Sequence, residues 1–289
     1  MLQRSKSAVG VVIAGLAPVA FGGPVWAAAW GFFCLVGLIE FERFVTALDV
    51  RPLRTPRLAV PLATLAALTD QGQAGFIAIL GGGTALAMIE VMRRDDHTGA
   101  IIAWAYAVAG TTYLAIPAFA AVALRETAGT TAAAWLVNIA DATAIAWTPR
   151  PEGLAWLLLA LVVTWLSDTG QYLVGRAIGK HPLSPRISPK KTVEGLVGGT
   201  LVAMGTGALA VSLFGLDLHP VVGALIGLGI AIVGVTGDLA ESLMKRQAGV
   251  KDSGSFIPGH GGMLDRIDSL LFTFTTAWLF VALVDRYLT

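Results

Sequence analysis

The chain has 289 residues, 55% of them hydrophobic and 13% charged, with a mean hydropathy of +0.73. A soluble domain carries about 25% charged residues, so this chain cannot cover itself with polar groups and needs lipid around it. The formal net charge of +1 argues against a nucleic-acid partner, and a lone cysteine, Cys34, excludes an intrachain disulfide and a cysteine-based metal site.

A helix crossing the hydrocarbon needs about 20 mostly apolar residues. In chain order the predicted spans are 8–22, 25–42, 57–70, 74–93, 99–123, 153–176, 193–215, 220–245 and 265–286. Arg4 and Lys6 ahead of the first, with small residues at 25–29, loosely resemble a cleavable leader. Apolar segments continue along the whole chain, so the first is read as an uncleaved span. A weaker stretch, 129–147, is broken by Asn138 and Asp141.

Lys and Arg concentrate in short cytoplasmic loops. Here they gather at the N-terminus, at 43–57, at 93–94, at 176–191 and at 245–266, while the connections 23–24, 71–73 and 216–219 carry none. Nine crossings put all five basic connections on one side. A tenth, through 129–147, would set the two halves at odds, so that stretch is placed outside or re-entrant. The expectation is an all-α, polytopic integral membrane protein of about nine transmembrane helices with its N-terminus in the cytoplasm. Residues 1–150 are read as packing and lipid-access helices. Residues 151–289 are read as the catalytic helices, with cytoplasmic loops at 177–192 and 246–264. Glycines at 81–83, Gly195 with Gly199, and Gly223 with Gly227 predict close helix packing. No inverted repeat announces a secondary transporter.

An acid inside the membrane costs about 2.5–3.5 kcal/mol on insertion scales, so each needs a reason. Asp168 lies eight residues before Arg176, and Asp238 seven before Lys245. A rise of 1.5 Å per residue puts both about 10–12 Å inside the same face. Either could be an acid neutralised within the bundle, or both could serve one site. The loop 180–194 brings Lys180, Arg186, Lys190 and Lys191, with Ser188 and Thr192 between them. Pro182, Pro185 and Pro189 hold it extended. Such cations and hydroxyls suit a polyphosphate or, more plainly, anionic headgroups. In "KDSGSFIPGHGGMLDRIDS" (251–269), glycines let backbone N–H groups approach a ligand. Asp265 and Asp268 share one helix face, and His260 is a candidate phosphate donor. No P-loop and no zinc pattern is present. Carboxylates beside cations fit magnesium and phosphate together, because magnesium takes one or two carboxylates and completes its shell with water and substrate oxygens.

The stretch Ser242–Asp268, S-x-x-K-R, four residues, K-D-x-G, then P-x-H-G-G-x-x-D-R-x-D, resembles the signature of the phosphatidate cytidylyltransferases, also called CDP-diacylglycerol synthases. "SPKKTVEG" (188–195), "GDLAES" (237–242) and "SDTGQYLVGR" (167–176) resemble further blocks of that family, the last departing from it at Gly170 and Gln171. The resemblance implies CTP and phosphatidic acid as substrates. The products would be CDP-diacylglycerol for phospholipid biosynthesis and pyrophosphate. It also implies Mg2+ (one or two divalent ions, or a divalent with a monovalent cation) and a homodimer in a bacterial inner membrane with its site facing the cytoplasm. On that resemblance Asp238 and Asp265 are the leading metal ligands and meet at one ion. Asp168 and Asp268 are further ligands, or carboxylates that stand behind the ligands. Lys190, Lys191, Lys245, Arg246, Lys251 and Arg266 share the phosphates. Ser188, Thr192, Glu194, Ser242, Asp252, His260, Gly261 and Gly262 contact substrate, with orientation of the cations the alternative role for Glu194 and the role for Glu241. The alternatives are another lipid phosphate as acceptor, or a cation- or proton-coupled transporter built on Asp168 and Asp238.

Overall fold

The computed structural model of the chain describes residues 15–144, 147–256 and 261–287. Its elements in order are α1 (Gly23–Ala47), α2 (Pro56–Ala66), α3 (Gly72–Met92), α4 (Ala100–Arg125), α5 (Ala134–Thr143), α6 (Pro151–Ile178), β1 (Pro182–Ser184), β2 (Ser188–Thr192), α7 (Val193–Leu213), α8 (Pro220–Gln247) and α9 (Leu264–Tyr287). Among the described residues seven helices are long and apolar enough to cross a membrane: α1, α3, α4, α6, α7, α8 and α9. The chain is an all-α polytopic membrane protein with one small β-hairpin.

Seven of the nine expected spans correspond to these helices. The first expected span, 8–22, lies partly outside the described residues, and 15–21 is helical. The expected span 57–70 is the 11-residue helix α2. It rises only about 16 Å, well short of the roughly 30 Å of hydrocarbon. Within 129–147 the helix α5 has 10 residues and is likewise too short to cross alone.

Two compact units interleave in sequence: Met1–Glu126 with Met244–Ile267, and Thr127–Leu243 with Asp268–Thr289. Helices α8 and α9 each pass from one unit to the other. The division of the sequence at residue 150 follows where the chemical motifs begin, whereas these units follow packing.

In the first unit α1 packs on α4 through Trp26 and Trp30, whose rings stack 5.4 Å apart. Their indole N–H groups donate to the carbonyls of Ala121 (3.0 Å) and Pro117 (3.1 Å), which satisfies them where no water is available. The buried Arg125 guanidinium donates to Val19 O (2.7 Å) and Ala20 O (3.0 Å), carbonyls at a helix C-terminal end that lack intrahelical donors. The Glu90 carboxylate accepts from Arg54 N, Thr55 N and Thr55 Oγ1 at 2.7–3.0 Å, tying the start of α2 to α3.

In the second unit glycines let three helices touch backbone to backbone. A Cβ on Gly199 would lie 2.7 Å from Ser167 O of α6, and one on Gly227 of α8 would strike Ala203 O of α7. Ser167 Oγ donates to Gly199 O, and Gln171 Nε2 to Ser167 Oγ, each at 3.3 Å. The close-packing expectation therefore holds for Gly195–Gly199 and Gly223–Gly227. At 81–83 it does not, because Gly81 and Gly82 have nothing near them. Thr164 Oγ1 donates to Thr273 Oγ1 (3.1 Å), joining α6 to α9.

Candidate active site

Three prolines in 182–189 forbid a helix, and the segment folds as an antiparallel hairpin pairing Pro182 with Thr192 and Ser184 with Ser188. Pro185 sits second in the turn that Ile187 N closes onto Ser184 O (3.2 Å). The base is locked to α7. Thr192 Oγ1 caps the helix by accepting from Gly195 N (3.1 Å). Glu194 accepts from the backbone of Lys180 (3.1 Å) and His181 (3.2 Å), and from His181 Nδ1 (2.5 Å). Glu194 thus holds the hairpin's base through the backbone of Lys180 and the backbone and ring of His181.

Side chains alternate along a strand, and the two neighbouring lysines part accordingly. Lys190 is exposed, while Lys191 Nζ pairs with Asp238 Oδ2 on α8 at 2.5 Å. Ser242, one turn further along α8, donates to Asp238 Oδ1 (3.3 Å). At Gly237 α8 runs against α9, where an added Cβ would lie 2.6 Å from Asp268 O. That passage sets Asp238 beside Asp268, and the charges of Asp168, Asp238, Asp268 and Lys191 interact. Among the described residues no three His, Cys, Asp or Glu side chains gather as a metal cage. Ser188 is half-buried, Arg186 exposed, and Glu241 fully buried.

In the other unit Asp265 stands in the first turn of α9, where the positive end of the helix dipole favours a carboxylate. Lys245 Nζ donates to its Oδ1 (2.7 Å), and Ser253 N (2.9 Å) and Gly262 N (2.8 Å) donate to Oδ2. The side chains of Asp265 and Lys245 are 9% and 16% exposed, a pair largely withdrawn from water. Gly261 has φ 86°, a left-handed backbone that favours glycine. Arg246, Lys251, Asp252 and Arg266 are exposed around this rim. His260 lies outside the described residues.

Two residues absent from the sequence-based site belong to this rim. Glu40 of α1, 2% exposed, accepts from Ser253 Oγ (2.9 Å), Met263 N (3.1 Å) and Leu264 N (2.8 Å). Ser253 Oγ also lies 2.9 Å from Asp265 Oδ2. A Cβ on Gly254 or Gly262 would collide with Glu40, so at those two positions the glycines make room for a side chain of this chain. An acid within an apolar run at position 40 was a usable signal, the same one that singled out Asp168. Ser253 stood at an unspecified position of the motif.

The donor chemistry suits magnesium. Asp238 and Asp265 each offer hard carboxylate oxygens beside one lysine, and magnesium can be held by a single such ligand with water and substrate oxygens completing its shell.

The Cytidylyltransferase family model matches residues 2–284. Three curated relatives, each named phosphatidate cytidylyltransferase, are similar to part of the chain. The Synechocystis protein is 48% identical over 134 residues (46% of this chain, 45% of the relative). That of Staphylococcus haemolyticus is 46% identical over 123 residues (43% and 47%). That of Staphylococcus aureus strain COL is 49% identical over 125 residues (43% and 47%). The chain spans about half the length of the curated relatives it matches.

Proposed function

This chain belongs to the Cytidylyltransferase family, and on that premise we propose that it transfers a cytidylyl group from CTP to phosphatidic acid. The carrying observation is the lysine–carboxylate pairing within each unit, Lys191 with Asp238 and Lys245 with Asp265. Magnesium and a polyphosphate can take up such pairs, metal going to the acid and phosphate to the amine.

A phosphate oxygen of phosphatidic acid forms a bond to the α-phosphorus of CTP, and the bond from that phosphorus to the bridging oxygen breaks. Pyrophosphate leaves with the electron pair. A phosphomonoester has a second pKa of about 6 and is largely dianionic near neutrality, so no side chain need remove a proton. The obstacle is repulsion between an anion and a polyanion. Lys191 and Lys245 neutralise and position the phosphates, with exposed Lys190 on the hairpin of one unit and Arg246, Lys251 and Arg266 at the rim of the other. Asp238 in one unit and Asp265 in the other would each offer magnesium a carboxylate, with the charges of Asp168 and Asp268 acting on Asp238. The bound ion supplies charge neutralisation of the transferring phosphoryl group.

A two-chain lipid cannot leave the bilayer without losing about 0.8 kcal/mol per CH₂, and CTP cannot enter it. A site at the membrane's aqueous face serves both substrates, and the family resemblance adds a homodimer in a bacterial inner membrane with that face toward the cytoplasm. The test is turnover of labelled CTP into a lipid-soluble nucleotide by purified protein and phosphatidic acid. It should be run with all four nucleoside triphosphates, with and without magnesium. Absence of product with CTP and magnesium would overturn the reading. Turnover of a polyprenyl phosphate alone would move the acceptor.

A further inference from the structure

We propose that Glu40 is a positioning residue for Asp265, acting through the Ser253 hydroxyl and the first turn of α9; this rests on the cytidylyl-transfer reading and deepens it. Glu40 lies in an apolar transmembrane helix and is 2% exposed, where a carboxylate is costly unless its oxygens are hydrogen-bonded. Among the described residues its donors come from the rim. Two are the backbone N–H groups of Met263 and Leu264, where α9 begins, the end at which the helix dipole stabilises negative charge. The third is Ser253 Oγ, 213 residues away in sequence.

That hydroxyl is also 2.9 Å from Asp265 Oδ2 and accepts from Asp265 N at 3.3 Å. A serine hydroxyl has one proton to give, so the two carboxylates cannot both receive it. When Glu40 takes it, Asp265 Oδ2 is held by the backbone N–H groups of Ser253 and Gly262. Asp265 then keeps its orientation through those two donors, with its own N–H on the Ser253 oxygen and no hydroxyl proton on Oδ2. Capping alone does not require this arrangement, since a short polar side chain next to the helix start would serve. The rim is instead shaped around Glu40: a Cβ on Gly262 would lie 2.6 Å from its Oε2, and one on Gly254 would strike Oε1.

The test uses the full chain in detergent and the variants Glu40→Gln, Glu40→Asp, Ser253→Ala and the double Glu40→Gln/Ser253→Ala. Melting temperature, kcat, KM for CTP and Mn2+ affinity by electron paramagnetic resonance are measured for each. Expected is a fall of about 10- to 100-fold in kcat and in Mn2+ affinity for Glu40→Gln and for Ser253→Ala, the range for an outer partner of a metal-binding carboxylate. KM for CTP should hold within about threefold, the double variant should match the worse single one, and Glu40→Asp should recover part of the loss. A folded Glu40→Gln with kcat within twofold of the parent overturns the proposal, and so do losses that multiply in the double variant. If Glu40→Gln does not fold, Ser253→Ala decides, and unchanged kcat and Mn2+ affinity there overturn it. If the parent protein turns over no CTP, the functional reading fails separately, and Mn2+ affinity across the same variants still decides for or against Glu40.

Discussion

Lys191 at the end of β2 and Asp238 in α8 form an ion pair of 2.5 Å that ties the hairpin to a transmembrane helix. Their side chains are 23% and 34% exposed, and a pair so open to solvent contributes only about 0–1 kcal/mol to stability. Its value is in keeping an ammonium beside the Asp238 carboxylate. Lys191→Met should therefore leave the melting temperature nearly unchanged while raising KM for CTP at least tenfold. A large drop in melting temperature with unaltered kinetics would make the pair structural.

Asp238→Ala and Asp265→Ala should each lower kcat by at least about 100-fold, the scale for losing one main electrostatic contact to a transition state. Both variants should elute and melt as folded protein. Near-normal rates in either at saturating magnesium would remove that carboxylate from the metal assignment.

Chelation with EDTA should abolish turnover, and added magnesium should restore it. Calcium prefers six to eight oxygen ligands at longer distances and should restore little. Full activity in EDTA would exclude a required divalent ion.

The contacts of Glu194 with Lys180 and His181 predict that Glu194→Ala frees the hairpin. Hydrogen exchange across 182–192 should quicken, with KM for CTP raised severalfold and kcat less affected. Unchanged exchange would mean that strand pairing alone holds the base.

The two glycine groups separate in a simple substitution test. Gly199→Leu should cost about 1–3 kcal/mol through overpacking against Ser167 and Gln171, seen as a lower melting temperature in micelles. Gly81→Leu, facing open space, should be neutral or slightly stabilising because leucine is the better helix former. Equal losses at both positions would contradict the packing described for α6 and α7.

Much of this architecture was legible before any coordinates. The seven long helices are continuous apolar runs, and the prolines of 182–189 announced extended backbone. Position 57–70 misled because Arg57 to Leu68 reads as apolar while the helix stops at Ala66, and hydropathy does not report where a helix ends. The glycines of 251–262 suggest room for a ligand, and at Gly254 and Gly262 that room is taken by Glu40, at Gly262 together with Ser253.

Composition and hydropathy by themselves determined the solvent, the long spans and the chemical vocabulary of acids, lysines and glycines, because each depends on residues adjacent in the chain. Which lysine meets which acid was decided only by the tertiary structure. Lys190 and Lys191 are equal in sequence, and the strand turns just one of them toward Asp238. Glu40 reaches the rim only because α1 packs beside the start of α9, and no local pattern encodes a contact between residues more than 200 positions apart.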